Sequence, residues 1–272
     1  MTEKEYRTHP AISRSELWKM NESAEKFKWY KEHPIEPTPA LLFGQVVHKL
    51  LLQPDSFDTE FAVAPAVDRR TKAGKDEYAA FVDSVGDRTV VSRDDYDRAM
   101  DMVVAARMNP LVNRLLDGEK EVPFFWTDDF TGEDCKCRLD CLTEIDGTYY
   151  IVDYKSTTNA DTETFGRRDV FNFGYHFQAA MYSEGVMHGT GLTERPKFVF
   201  IAQEKTEPYA VNVMAISDNV MLAGIDKFRE LIGKYHQCKM LDVWPGYNGL
   251  GDINEVFLPK WMQNGVEADA EE

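Results

Sequence analysis

Apolar residues at Leu17, Met20, Ala24 and Phe27 recur at the spacing of one helical face, so the stretch ISRSELWKMNESAEKFKWYKE predicts a helix. Ser13 with Glu16 three positions on fits the reciprocal cap that starts one. A proline-rich joint follows (Pro34, Pro37, Pro39), then a second helix is expected from about Ala40 to Gln53, stopped by Pro54. Two more helical stretches are predicted near 76–84 and 93–116. The period then changes. VPFFWTD, CKCRLDCLTEI and YYIVDYKST are rich in aromatic and β-branched residues and read as strands. Helical spacing returns over 168–190, KFVFIAQE and YAVNVMAI read as two more strands, and a long helix is expected from about 218 to 238. No internal repeat is visible. The chain reads as one mixed α/β domain over residues 1–263, with 1–116 mainly helical and 117–263 an α/β core. Residues 264–272, ending in ADAEE, read as an acidic, disordered tail.

Asp146-Gly147 lies between two strand-like runs and is a strong signal for a two-residue hairpin loop. With Ile145 opposite Thr148, Asp140 falls opposite Asp153 and Arg138 opposite Lys155. Alternation places these four on one face, and Cys137, Leu139 and Cys141 on the other with Val152 and Tyr154. Like charges directly opposed across a strand pair are destabilising. A divalent cation between the two carboxylates is the simplest remedy, and hard oxygen donors suit Mg²⁺, with Mn²⁺ able to substitute. Lys155, on the same face, would orient or help deprotonate an attacking water and stabilise charge on a phosphate. The bland alternative is a polar face that meets water. Against it, Tyr149, Tyr150, Ile151 and Val152 in succession read as buried on both faces. Asp153 and Lys155 then emerge at the strand's C-terminal end, a usual place for a site on an α/β sheet.

Two helical pairs add candidates. Gly44 and His48 are four apart in FGQVVHKLLLQP and share a face, and the bare Gly44 admits close approach of another backbone or a nucleic-acid strand. Gln178 and Tyr182 share a face in FQAAMYSEG. A histidine on an apolar helix is more often a satisfied core residue than a ligand, and the Gln–Tyr spacing alone says almost nothing.

Composition narrows the class. Hydrophobic residues make up 43% of the 272, which excludes a disordered chain. There are 47 acidic against 31 basic residues, a net charge of −16, so a broadly basic nucleic-acid coat is excluded and only a local basic site remains open. Arg69, Arg70, Lys72 and Lys75 form such a patch within seven residues. No apolar run is long enough for a bilayer, and the N-terminus has no apolar core of a signal peptide, so a soluble cytoplasmic protein is expected. The four cysteines (135, 137, 141, 238) are too few for a disulfide scaffold.

Taken in order, Gly44-x₃-His48, Asp140, Asp153-x-Lys155 and Gln178-x₃-Tyr182 resemble the motif series of RecB-like nucleases in the PD-(D/E)xK superfamily, and most of all its RecE-like branch, the exonuclease VIII nuclease domains of phages and prophages. PTPALLFGQVVHKLLLQP, RRTKAGK, CRLDCL, IVDYKSTT, FNFGYHFQAAMYSEG, KFVFIAQE and the late Trp244-Pro245 extend the likeness over nearly the whole chain. The resemblance implies a PD-(D/E)xK fold, a central mixed sheet flanked by helices. It implies a Mg²⁺-dependent 5′→3′ exonuclease that leaves 3′ overhangs on linear double-stranded DNA for a RecT-like single-strand annealing protein, in a bacterial host cytoplasm. It gives Asp140 and Asp153 as metal-binding acids and Lys155 as catalytic lysine. His48 and the backbone carbonyl of Tyr154 would be further metal ligands, and Gln178, Tyr182 and Gly44 would support the site and DNA. Ser15 resembles a position near a terminal phosphate, although serines there also cap the helix. Glu121 is a possible extra carboxylate. A homotetrameric ring is implied by likeness alone. Two departures stand out: Leu139 replaces the frequent proline before the first acid, and Asp153 replaces the frequent glutamate, the latter as in the RecE-like branch. Some RecB-like nucleases carry an iron–sulfur cluster; here the strand cysteines read as small buried apolar residues, and no cluster is expected. The rival readings are an endonuclease, a single-strand-preferring nuclease, or a non-catalytic DNA-binding or assembly subunit.

Overall fold

The Asp146-Gly147 turn forms as expected: both residues have positive φ, 52° and 77°, the pair of left-handed conformations that matches a two-residue loop to the strand twist. Ile145 pairs Thr148 and the ladder runs in the expected register to Cys141–Val152. The structure is a computed structural model that describes residues 1, 3–33, 36–249, 251 and 253–258; Pro34 of the expected joint and the acidic tail lie outside these residues. The helices are α1 (Glu3–Thr8), α2 (Arg14–Trp18), α3 (Ala24–Glu32), α4 (Pro39–Leu52), α5 (Phe57–Glu60), α6 (Lys72–Val85), α7 (Arg93–Arg107), α8 (Pro110–Leu115), α9 (Val170–Asn172), α10 (Tyr175–Thr190) and α11 (Asp218–Leu241). The strands are β1 (Ile12–Ser13), β2 (Phe61–Val63), β3 (Thr89–Val91), β4 (Glu119–Thr127), β5 (Asp134–Ile145), β6 (Thr148–Thr157), β7 (Lys197–Glu204) and β8 (Val211–Ala215).

Several expected elements are divided, each by its own caps. The predicted first helix breaks at Asn21: Ser13 and Glu16 cap α2 reciprocally, and Ser23 accepts the Lys26 N–H to start α3. The predicted 93–116 helix breaks where Asn109 caps α8 and Pro110 cannot continue α7. The helical stretch before α10 begins earlier than 168, as a π-helical run from Thr162 to Asp169. The helix predicted near 76–84 starts earlier, so Lys72 and Lys75 lie in the first turn of α6.

The main sheet is mixed. Its order is β1-β5-β6-β7-β8, with β4 on the other edge of β5. β4, β6 and β8 run antiparallel to their neighbours β5, β5 and β7, whereas β1 is parallel to β5 and β6 to β7. Two layers of helices cover it. On one side Cys137, Leu139, Ile151, Phe198 and Phe200 pack with α2, α3, α10 and α11 through Leu17, Phe27, Phe177 and Phe228. On the other, Cys141, Val152, Tyr154, Val199 and Ile201 pack with α4, α7 and α8 through Val47, Leu51, Met102 and Leu115. The architecture is thus the expected central mixed sheet flanked by helices. The strands β1, β2 and β3 were not expected; they are two or three residues long, too short for a period-2 signal.

The expected sharing of faces is corrected at one point. Cys137 and Leu139 pack on the α10 side and Cys141 on the α4 side, so alternation along β5 breaks at Asp140. The β4–β5 ladder is interrupted there too: Lys120 pairs Cys141 and Val122 pairs Leu139, while Glu121, between them, has φ of 55°. A left-handed residue inside a strand turns the pleat locally, as a bulge does. The other edge of β5 is also divided. β1 pairs Cys135 and Lys136, β6 pairs Cys141 to Ile145, and the strands fork between them.

Gly174 holds the turn into α10. Its φ is 66°, and a Cβ there would lie 2.6 Å from the Trp18 ring. Gly174→Ala should therefore lower unfolding free energy by about 2 kcal/mol or more, from left-handed strain plus overpacking; a denaturant midpoint shift at constant slope is the check.

Candidate active site

Asp140 sits at the fork. One of its oxygens, Oδ2, accepts the backbone N–H of Tyr154 at 2.8 Å, the place a β5 carbonyl would hold if the ladder continued. Asp140 and Asp153 are thus not a ladder pair; the hydrogen-bonded register ends one pair earlier. In an extended strand a residue's N–H and C=O leave by the same edge, so the Tyr154 carbonyl also faces the fork. Tyr154 is fixed from its far end: its hydroxyl donates to Gln203 Oε1 at 2.8 Å, and the Gln203 amide donates to the carbonyls of Met102 and Tyr209.

The other Asp140 oxygen lies 3.1 Å from His48 Nε2, which is 3.7 Å from Glu121. His48, Glu121 and Asp140 offer three ligand atoms all within 4.8 Å of one another. Glu121 also pairs with Arg138 at 2.7 Å. The Gly44 to His48 turn of α4 lies against β6, with the Ser156 hydroxyl 3.1 Å from where a Gly44 Cβ would be. What approaches Gly44 closely is therefore the strand that carries Asp153 and Lys155.

Asp153 is 1% exposed. Its Oδ1 accepts from Gln178 Nε2 on α10, and its Oδ2 is in charge contact with the Lys155 ammonium. Two buried carboxylates, a third acid and an imidazole gathered at one point are a donor set that suits a hard divalent cation. Among the described residues the set spaced for one ion is His48, Glu121 and Asp140; Asp153, expected among the ligands, is not in that set, and Glu121, expected only as an extra carboxylate, is.

The fork crowds like charges into a buried space. Burial pushes the Glu121 carboxyl up to about 7, opposed by His48 and assisted by Asp140. Burial also raises Asp153, against the pull of Lys155. Asp140 is opposite: burial would raise it, but His48, Lys155 and the Tyr154 N–H outweigh that and hold it low. Burial opposes charge on His48 and Lys155, yet the facing carboxylates raise both. Lys155 lies 5.0 Å from the Tyr175 ring centre, and the two acids beside it favour its charged form.

One cleft gathers most of the expected groups: Asp140, Asp153, Lys155, His48, Glu121, Gln178, Tyr182, Arg138 and Ser15 line it together. Gly44 and Tyr154 line the adjoining cavity with His48 and Lys155. Burial keeps the Tyr182 phenol protonated. Arg69, Arg70, Lys72 and Lys75 do not line either cavity. Arg69 stacks on Tyr78 at 4.0 Å and Arg70 pairs with Asp68 at 3.0 Å, on and just before α6. Sequence reasoning missed the basic groups that do line the cleft. Arg14 and Lys136 are two; Lys136 donates to the carbonyls of Tyr6, Arg7 and His9 and so ties α1 to β5. A lysine inside the cysteine-rich strand was the available signal.

A family model described as a PDDEXK-like domain of unknown function (DUF3799) matches residues 13–255. The chain belongs to this PDDEXK-like family. A crystal structure of a "Putative exonuclease" from Eubacterium rectale is similar over 97% of each chain, at 17% identity and a TM-score of 0.65, which supports the same fold. The structure of SSO0001, at 10% identity over 69% of this chain and 85% of its own, has a TM-score of 0.29, too low to argue from. No curated protein matches this sequence. The PDDEXK-like match spans α2 to the region after α11 and so includes every acid of the fork.

A cation must compete with protons at Glu121, Asp153 and His48, so its affinity should rise with pH and its binding should release protons. Calorimetric titration with Mn²⁺ should show tighter binding at pH 8 than at pH 6, and Glu121→Gln should flatten that dependence.

Proposed function

We propose that this chain is a Mg²⁺-dependent deoxyribonuclease, a 5′→3′ exonuclease that shortens one strand of linear double-stranded DNA and leaves a 3′ overhang for annealing-type recombination. The observation that carries the nuclease reading is the convergence of Asp140, Asp153 and Lys155 at the β5–β6 fork in a PDDEXK-like fold. The 5′→3′ polarity, the overhang and a RecT-like annealing partner rest on the likeness of the motif series to RecE-like exonucleases. So does assembly as a homotetrameric ring around DNA.

The residues divide the work. Asp140, Asp153, His48 and the Tyr154 carbonyl would hold the cation, which when bound neutralises phosphate charge and makes water a better nucleophile. The Tyr154 N–H fixes the Asp140 carboxylate, and Gln178 fixes that of Asp153, so neither acid must reorient. Lys155, kept cationic by both acids, presents positive charge where a phosphate oxygen becomes more negative. Phosphate contacts elsewhere fall to Arg14 and Arg138 along the cleft and, outside it, to Arg69, Arg70, Lys72 and Lys75, leaving the acidic remainder of the surface to repel DNA.

Linear duplex labelled at its 5′ or its 3′ end should be degraded with Mg²⁺ and left intact with EDTA, the 5′ label being released first as mononucleotides. Cleavage of covalently closed circles would mark an endonuclease, and preference for single strands the other enzymatic rival. Lys155→Ala should lower the cleavage rate by about 10²–10³-fold while DNA binding persists; a protein that only binds or assembles DNA would show no metal-dependent cleavage in either form. Changing Arg69 and Arg70 together to Ala should weaken DNA binding and reduce its salt slope by about two; an unchanged slope removes that patch from the interface.

A further inference from the structure

Two phenylalanines in the turn before α10 lie open to solvent: Phe171 is 40% and Phe173 53% exposed. Phe173 is not a loose surface residue. Its N–H donates to the Asp169 carbonyl at 2.9 Å, its own carbonyl accepts from Arg14 Nη2, and Gly174 behind it is wedged against Trp18. The backbone is thus pinned from three sides while the ring points outward. On its inner side the Phe173 ring lies 5.8 Å from that of Tyr175, which is backed by Phe165 and Phe200 and covers the Lys155 ammonium at 5.0 Å. Tyr175 and Arg14 both line the cavities of the fork.

An exposed aromatic ring on a fixed backbone, joined through Tyr175 to the cavity of the fork, suits the π-face of a nucleobase, because stacking needs no hydrogen-bond match and tolerates any sequence. We propose that Phe173 stacks a base of the strand whose phosphate lies at Asp140, Asp153 and Lys155, so that the base next to the reacting phosphate is held out of the duplex stack. This rests on the nuclease reading and adds to it a positioning residue. Arg14 and Gly174 act through Phe173: they fix its backbone. Tyr175 closes the inner side, so the stack ends at the lysine rather than in open solvent.

The test uses the full chain and a linear duplex carrying 2-aminopurine at the terminal or second base, with Ca²⁺ in place of Mg²⁺. Wild type should change the fluorescence of one of these probes on binding. Phe173→Leu, which keeps an apolar side chain of similar size, should lose that change and weaken binding about tenfold. Phe173→Trp should restore both. In Mg²⁺, Phe173→Leu should raise KM about tenfold with kcat within about twofold, and its melting temperature should match wild type. Equal probe signal and affinity in wild type and Phe173→Leu overturn the proposal, as does a wild type that binds this DNA with no change in either probe or does not bind it. Absence of Mg²⁺-dependent cleavage by wild type is a separate result, which overturns the nuclease reading even where stacking is seen.

Discussion

The whole site depends on one substitution of partners: where the β5–β6 ladder should continue, the Asp140 carboxylate takes the Tyr154 N–H in place of a backbone carbonyl. A strand pair that simply continued would fill the fork with peptide groups. Because it stops, the edge of β6 that carries the Tyr154 amide and carbonyl opens toward two acids. β1 fixes the width of the opening from the other side by pairing with β5 at Cys135 and Lys136. The left-handed Glu121 in β4 completes the arrangement, for it turns β5 over at the same residue and lets a helix from each layer reach one point: α4 with His48 and α10 with Gln178.

That arrangement holds three carboxyl groups in a largely desolvated space. His48, Lys155 and Arg138 answer them. The balance is incomplete, as the raised Glu121 and Asp153 testify. Such tension has no benefit for folding, since unpaired buried charge is costly. It is the expected state of a site whose last positive charge arrives with a ligand. The cysteines nearby are untroubled by this chemistry: burial raises the thiols of Cys135 and Cys137, and they pack as small apolar groups on the α10 side, with Cys141 on the α4 side.

Much of this was legible in the sequence because it is local. The Asp146-Gly147 turn set the register of the hairpin as far as Cys141 and Val152, which leaves Asp140 and Asp153 as the next residues of the two strands. The Gly44–His48 and Gln178–Tyr182 pairs marked two helical faces that the fold turns toward that point. The fork itself was not legible. It arises from a two-residue strand pairing across more than a hundred residues and from one backbone torsion at Glu121. Neither leaves a periodic trace, so the face change that separates Cys137 from Cys141 was missed. The basic patch at Arg69 to Lys75 drew notice by density, whereas the cleft's own cations are scattered over α2 and β5 and meet only in three dimensions. Phe173 was hidden inside a motif read for Gln178 and Tyr182.

The central claim is that Asp140 and Asp153 share one divalent cation. Crystals of the protein soaked in Mn²⁺ and measured at the manganese edge test it directly. The account predicts an anomalous peak at the fork, within about 2.0–2.6 Å of an oxygen from each of the two aspartates. A crystal whose manganese sits only at surface acids, or that binds His48 and Glu121 without touching Asp153, would contradict it.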